Sequence, residues 1–505
     1  MDRKWWTLAA VCTGVFMLLL DVTIVNVALP DIENSFSASL SDLQWVIDAY
    51  ALTLAALLMT AGSVADLVGR RKVFIAGITI FTVSSALCGL APDATFLAIS
   101  RGLQGIGGAI MFATSLALLA QAFAPTERGA AFGIFGAVTG VALAIGPVLG
   151  GAITSGLSWR WIFFVNIPVG VFALLIAATK VQESRPDHAR RLDIPGFITF
   201  SISLAGLVYG LIKSQGDGWG SATVMISLAI AVVLFIVFAV IEVRSTHPMF
   251  DLALLRVPTF NGGLVAGFGI SASIFSLFTY LTIYIQGVLG YSAIQSGIRF
   301  LPFTGVVFIA ASLAGRLTTK VPVKLLIGGG FVLLTISLLL MRGLTDSSGW
   351  IHFLPGFLIG GVACGFINVP LASTAVGVVA PEQAGMASGA SSTARQVGIA
   401  TGVAALGTIL ASIVRNHVGA HLAGTPLAAH AHQLALAVSS GSVTDALRHV
   451  PAAARPLVYQ AARDSYAQAL NAVLLIGAIT AGIAMVITFV TIRSSDFHHV
   501  RKAAS

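Results

Sequence analysis

Charge is what this sequence has least of. Asp and Glu supply 20 of its 505 residues and Lys and Arg 28, so 10% of the chain is charged, against about 25% in an ordinary soluble domain. A soluble protein of this length would divide into several domains, and so few charges could not cover their surfaces. Cysteine is also scarce. Cys12, Cys88 and Cys364 each stand inside an apolar segment and read as small buried residues, which leaves no disulfide framework and no metal set. The dipeptide Gly-Lys never occurs. A phosphate-cradling loop of the form GxxxxGK followed by Ser or Thr is therefore absent, and the chain alone cannot be an ATP-driven pump. Strand-like alternation of polar and apolar residues is missing too, which argues against a transmembrane β-barrel.

What remains is apolar: 57% of residues are hydrophobic and the mean hydropathy is +0.93. A bilayer core about 30 Å thick needs roughly 20 apolar residues per helix. Fourteen segments meet that requirement, at 5–29, 43–63, 73–91, 94–118, 130–154, 161–179, 194–212, 221–241, 259–285, 294–314, 325–344, 352–379, 385–413 and 466–492. The first begins after Arg3-Lys4 like a signal peptide, but its apolar run is too long for one and reads as a spanning helix. The fold class expected is an all-α integral membrane protein. Glycine, at 53 residues, continues through the apolar runs, as suits helices that pack closely in lipid.

The basic residues set the orientation. With the N-terminus inside, the inner segments hold Arg3, Lys4, Arg70, Arg71, Lys72, Arg128, Lys180, Arg185, Arg190, Arg191, Arg244, Arg256, Arg316, Lys320, Lys324, Arg493, Arg501 and Lys502. The short outer loops hold Arg160, Lys213, Arg299 and Arg342. That bias places both termini in the cytoplasm. It also accounts for the net charge of +8 without nucleic acid, for which no aromatic-studded basic face is visible. The chain repeats weakly as well. Gly69-Arg70-Arg71-Lys72 has an echo in Gly315-Arg316-Leu317, and Pro125-Thr126-Glu127-Arg128-Gly129 in Pro381-Glu382-Gln383-Ala384-Gly385. Similar offsets argue for two related six-helix halves, 1–180 and 259–492, with an inserted two-helix linker at 181–258 and a cytoplasmic tail at 493–505. The stretch 414–465, rich in Ala and His, reads as a solvated outer loop with amphipathic helices on the membrane surface. Its His417, His421, His430 and His432 invite a metal, but no carboxylate or cysteine accompanies them at ligand spacing.

Asp21 and Asp48 are the acids that sit well inside an apolar span. An ionised side chain there costs at least about 2.5–3.5 kcal/mol, so it must be paired, line water or be protonated. At 1.5 Å per residue, Asp21 lies about 12 Å below the outer end of span 1, Asp48 about 8 Å into span 2 and Arg101 about 10 Å into span 4. Equal depth suggests two carboxylates and one guanidinium around one cavity. Competing influences on such a carboxylate suit it to load and release a proton. The plainer alternative is an Asp–Arg101 pair that only locks helices together. Arg395-Gln396 sits near the inner end of span 13, where a long side chain can snorkel to the surface.

Five stretches within spans 1–5 carry a resemblance. Gly62-Ser63-Val64-Ala65-Asp66-Leu67-Val68-Gly69-Arg70-Arg71-Lys72 resembles the signature between spans 2 and 3 of major facilitator transporters. Arg101-Gly102-Leu103-Gln104-Gly105 resembles their span-4 motif. Gly136, Gly140, Gly146-Pro147 and Gly150-Gly151 resemble the span-5 motif of antiporters. Leu20-Asp21-Val22-Thr23-Ile24-Val25-Asn26-Val27-Ala28-Leu29-Pro30 is similar to span 1 of the fourteen-span drug:proton antiporters, and Trp45-Val46-Ile47-Asp48-Ala49-Tyr50 to span 2 of the quaternary-ammonium exporters. The resemblance implies a major facilitator fold of two six-helix bundles plus two central helices. It makes Asp66, Arg70 and Arg71, with Gly62 and Gly69, gate residues, against the plainer reading of a solvated basic turn. The span-5 glycines would seal helix packing, with Pro147 adding a kink. Gly315-Arg316-Leu317 keeps no acid, which leaves the second inner gate degenerate.

The function so implied is proton-coupled export of lipophilic, often cationic drugs or dyes by alternating access, one or two protons per cycle. Asp21, Asp48 and Arg101 would handle proton and substrate. The expected setting is a bacterial cytoplasmic membrane, the partners an amphipathic small molecule and the bilayer, the state monomeric, and no cofactor or metal is called for beyond the coupling protons. A sister reading is export of an endogenous antibiotic or lipid. An integral membrane enzyme would need a polar catalytic cluster that no span contains, and a non-transporting scaffold would show no substrate-linked proton release.

Overall fold

The computed structural model describes residues 2–36, 40–124, 127–184, 193–246, 248–318, 320–448, 450–493 and 495–497. Of the residues named above, Pro125, Thr126, Arg185, Arg190, Arg191, Arg501 and Lys502 lie outside this set, as do the side chains of Asn26, Pro30, Pro147 and Pro381. Every regular element among the described residues is a helix. That follows from the solvent: in lipid a lone helix is the simplest way to satisfy each backbone N–H and C=O. The helices are α1 (Arg3–Phe36), α2 (Leu40–Val68), α3 (Arg70–Gly89), α4 (Ala94–Ala122), α5 (Arg128–Gly156) and α6 (Trp161–Lys180). Then come α7 (Ile194–Asp217), α8 (Ala222–Arg244) and α9 (Pro258–Val288). The remainder are α10 (Ala293–Leu317), α11 (Val323–Leu340), α12 (Leu354–Gly377), α13 (Ala384–Leu422), the short α14 (Ala431–Ser440) and α15 (Val443–Arg448), and α16 (Arg455–Thr491).

Each of the fourteen expected segments falls on one of α1–α13 or α16. Thirteen of these helices are long and apolar enough to cross a membrane. In α5, helical over 29 residues, the fully described apolar stretch Arg128–Ala142 is shorter. Local chemistry sets the boundaries. Asp93 caps α4 by accepting from the Phe96 N–H at 2.8 Å. Ser292 and Gln295 form a reciprocal capping box at the start of α10, which satisfies two donors the first turn leaves open. Arg128 closes the other end of α4 by donating to the carbonyls of Ala120 and Phe123.

Helices α1–α6 pack on one another, and so do α9–α13 with α16. The pair α7–α8 is a hairpin whose α7 leans on α2 and α13. Two seams join the bundles, α2 against α13 and α5 against α10. The second helix of one set thus meets the fifth of the other, and the reverse. Both seams are tight at the basic face, the one that carries Lys4, Arg70, Arg71 and Arg316. There Gly62 faces Gly385, and Gly129 faces Gly315. A Cβ on any of these four would run into the opposite backbone carbonyl, so glycine is what lets the helices approach.

The 414–465 stretch is more ordered than a solvated loop. α13 continues to Leu422 and α16 begins at Arg455, so both helices outrun their apolar cores. Leu434, Ala435 and Val438 of α14, with Val443 and Val450, are buried in the core cluster that also holds α9, α13 and α16. Their i, i+4 spacing makes one apolar face, and that face packs on protein instead of lying on the membrane.

Overpacking at such a seam costs about 1–3 kcal/mol. Gly129→Val is expected to push apart the basic ends of α5 and α10, lengthening the distance between spin labels at Lys72 and Lys320. An unchanged distance distribution would contradict the seam.

Candidate functional site

Asp21 lies at the centre of the α1–α6 bundle, 0% exposed, and Arg101 beside it is 2% exposed. The Arg101 Nη1 donates to Asp21 Oδ2. The other carboxylate oxygen, Oδ1, accepts from Gln104 Nε2 at 2.9 Å and Asn166 Nδ2 at 3.0 Å. Both amides also donate to Ser85 Oγ, at 3.2 and 3.0 Å. Ser85 in turn donates to the Phe163 carbonyl at 2.9 Å. Arg101 has further contacts: its Nε donates to the Val46 carbonyl at 3.1 Å, Nη1 to Gln104 Oε1 at 2.8 Å, and its guanidinium lies 4.2 Å from the centre of the Tyr50 ring. Helices α1, α2, α3, α4 and α6 thus converge on one buried charge pair. A buried pair that loses a partner costs about 3–5 kcal/mol, because the remaining charge is stranded.

Asp48 is not part of that network. It is half-buried, it makes no hydrogen bond or ion pair among the described residues, and the nearby charge that acts on it is Lys213 of α7. The expectation of one shared cavity for Asp21, Asp48 and Arg101 therefore holds for two of the three. The reason is rotation, not depth. Val46 and Tyr50, four residues apart, both face Arg101. Asp48 stands two residues from each, roughly 200° around the helix at 3.6 residues per turn. It joins Trp45, which stacks on Tyr209 of α7 and has the Lys213 ammonium 5.8 Å from its ring centre.

A second site closes the basic face. Arg70 donates from Nε and Nη2 to Asp66 Oδ1, at 2.9 and 2.8 Å. Asp66 also accepts from two backbone N–H groups across the seam, Gly385 at 3.0 Å and Met386 at 2.8 Å. Those amides open α13, so the carboxylate sits where a helix N-terminus favours an anion. Asp66 and Arg70 are both buried, not a solvated turn. Arg71 donates to the carbonyls of Ala177 and Ala178 at the end of α6. Gly69 has φ +119°, a conformation open to glycine at little cost, and a Cβ there would stand 2.7 Å from Glu183 Oε1. Glu183 caps α3 through the Arg71 and Lys72 N–H groups, at 3.1 and 3.2 Å.

The span-5 glycines serve two neighbours. Gly146 and Gly150 press on Thr23 and Ile24 of α1, while Gly140 and Gly151 face Val307 and Ile294 of α10. α5 is one continuous helix through position 147. Sequence reasoning assigned no role to Gln104, Asn166, Ser85 or Glu183. Asn166 had a signal, an amide in an apolar run. Gln104, one turn after Arg101, had another. Of the outer histidines, His421 lies 3.4 Å from Asp464, a carboxylate brought up by α16. Among the described residues no group of three or more His, Cys, Asp or Glu could hold a metal.

A bundle of this plan with a buried Asp–Arg pair can be compared with known proteins. The model of the Major Facilitator Superfamily matches residues 11–403. The chain belongs to that superfamily. Its members are transporters, not enzymes, and in general need no cofactor. The multidrug resistance protein Stp of Mycobacterium tuberculosis is 36% identical over 82% of this chain and 78% of its own length. The puromycin resistance protein pur8 of Streptomyces alboniger is 35% identical over 87% and 89% respectively. The human organic anion transporter MFSD10 (TETRAN) shares the fold, with a TM-score of 0.60 at 15% identity over 95% of this chain and 100% of that one. This is therefore a multi-pass membrane transporter of small molecules.

Replacing Asp66 by Asn removes the anion that holds the two α13 amides. Hydrogen bonds to charged groups contribute about 1.5–3 kcal/mol. Hydrogen exchange at the Gly385 and Met386 amides is expected to speed up roughly tenfold or more. Unchanged exchange would remove Asp66 from the seam.

Proposed function

We propose that this transporter exports lipophilic, drug-like molecules from the cytoplasm in exchange for protons entering by alternating access. The observation that carries the reading is the buried Asp21–Arg101 pair, which can be opened by one proton and by little else. Both relatives named for drug resistance support the export direction. The membrane is the bacterial cytoplasmic membrane, with both termini and the basic face inside, and the working unit is a monomer.

The two acids have different tasks. Asp21, Arg101 and their amides form the switch. While Asp21 is ionised, five helices are tied together, and its protonation releases Arg101 and weakens that tie. Asp48, half-buried beside the Trp45–Tyr209 stack, is where a lipophilic cation and a proton compete, through charge and through the rings. Asp66, Arg70, Arg71, Gly62 and Gly69 form the inner gate. Gly140, Gly146, Pro147, Gly150 and Gly151 keep α5 sealed against α1 and α10, so that protons do not leak between bundles. The energy is the gradient's: a charge that crosses the full potential gains about 2.3 kcal/mol per 100 mV.

A second reading within the same cycle is export of an antibiotic made by the cell itself. The likeness to a puromycin resistance protein favours it. Transport of a panel of amphipathic cations and neutral antibiotics separates the two.

The coupling test uses vesicles with an imposed proton gradient. Asp21→Asn is expected to abolish gradient-driven accumulation of a cationic dye while leaving dye binding within a few-fold. Active transport at the wild-type rate in the variant would refute the switch.

A further inference from the structure

Arg395 has no place in the cycle above, and its surroundings are those of a binding site. It stands eleven residues into α13 from Ala384, about 16 Å along the axis at 1.5 Å per residue. Counted from the start of α13, that depth corrects the expectation that Arg395 snorkels from the inner end of its span, since it is too far from the basic face to do so. It is half-buried, with its Cγ against the Gly267 position of α9 and its guanidinium 5.8 Å from the Phe275 ring centre. Among the described residues it makes no ion pair and no hydrogen bond. Nor can its own bundle supply a counter-charge. After position 258 the acids are Asp346, Glu382, Asp445, Asp464 and Asp496, all outside the candidate spans or in the outer 431–464 region. Across the seam, Asp21 is committed to Arg101.

The neighbours add donors. Ser271, fully buried, faces α13 one turn along from Arg395, at Gly398, and its Oγ has no partner. Cys364 of α12 lies close enough to act on Arg395. Residues 271–275 are wound as a π-helix, a deviation frequent at functional sites. The guanidinium and the Ser271 hydroxyl, both donors without a partner, are suited to an anionic oxygen group.

We propose that Arg395, with Ser271, binds an acidic group on the exported molecule, a carboxylate or a similar oxyanion. This rests on the export reading and narrows it. The cargo then carries an acidic group in addition to its lipophilic body. The bilayer's own phosphates lie at the headgroups, far from this depth, which favours cargo over lipid.

The test compares rhodamine B, with a free carboxylate, and its ethyl ester, which is a cation only. Binding is read by fluorescence polarisation on the full chain in nanodiscs of phosphatidylcholine. Arg395→Gln is expected to weaken rhodamine B about tenfold or more, the scale of one charge-assisted contact, and to leave the ester within twofold. Arg395→Lys should recover part of the loss. Ester binding serves as the folding control. Equal loss of both dyes, no change in either, or no binding of rhodamine B by the wild type overturns the proposal. A preference for the acid that disappears when phosphatidylglycerol is included gives the site to lipid and also overturns it. Ester efflux from vesicles separates the two levels: export by Arg395→Gln keeps the exporter reading even if the acid site fails, and no export by the wild type removes the exporter reading itself.

Discussion

A carboxylate and a guanidinium closed off from water at the centre of α1–α6 impose the main constraint on this molecule. Neither charge is tolerable alone in that environment, and each oxygen of Asp21 is met by a donor from another helix. The pair is therefore a fastener whose strength depends on one proton. Ionised, it holds α1, α4 and α6 in register. Protonated, it leaves Arg101 with the Val46 carbonyl, Gln104 and the Tyr50 ring as its partners. A buried ion pair is weak evidence for stability as such. In the proposed cycle its use would be to give the bundle two states separated by one protonation.

The second fastener is polar at its rim and close-packed along its length. Asp66 reaches across the seam to the first amides of α13, and Gly62 and Gly385 bring backbone against backbone beside it. α2 connects the levels, since it carries Asp48 and Asp66 on one rigid helix, about 27 Å apart at 1.5 Å per residue. A tilt of α2 is felt at both. Packed interfaces of this kind have discrete arrangements, not a continuous range, which is the requirement for access to alternate between sides.

Much of the fold was readable because lipid leaves few options. Twenty apolar residues must become a helix, so the segments and their order follow from composition, and every expected span has its helix. The Asp66–Arg70 turn and the span-5 glycines were readable from motif spacing. The angle around a helix was not. Asp48 and Arg101 share a depth, yet α2 turns Asp48 toward α7, and only the packing of Val46 and Tyr50 against α4 decides that. Glu183, Asn166 and Ser85 were missed for a related cause: single polar residues have no periodicity, and their partners come from other helices. The outer stretch was misjudged because Ala and His carry little hydropathy signal. Its order comes from Leu434, Val438, Val443 and Val450 packing onto α9, α13 and α16.

The most direct measurement is the proton count that accompanies binding. Purified protein in weakly buffered solution is mixed with a saturating lipophilic cation while a pH dye is followed. Competition for a carboxylate requires that binding releases protons, close to one per bound molecule, with release lost in Asp48→Asn and diminishing as the starting pH rises and the site is already empty of protons. Tight binding of the same cation with no release at any pH would contradict the exchange at Asp48.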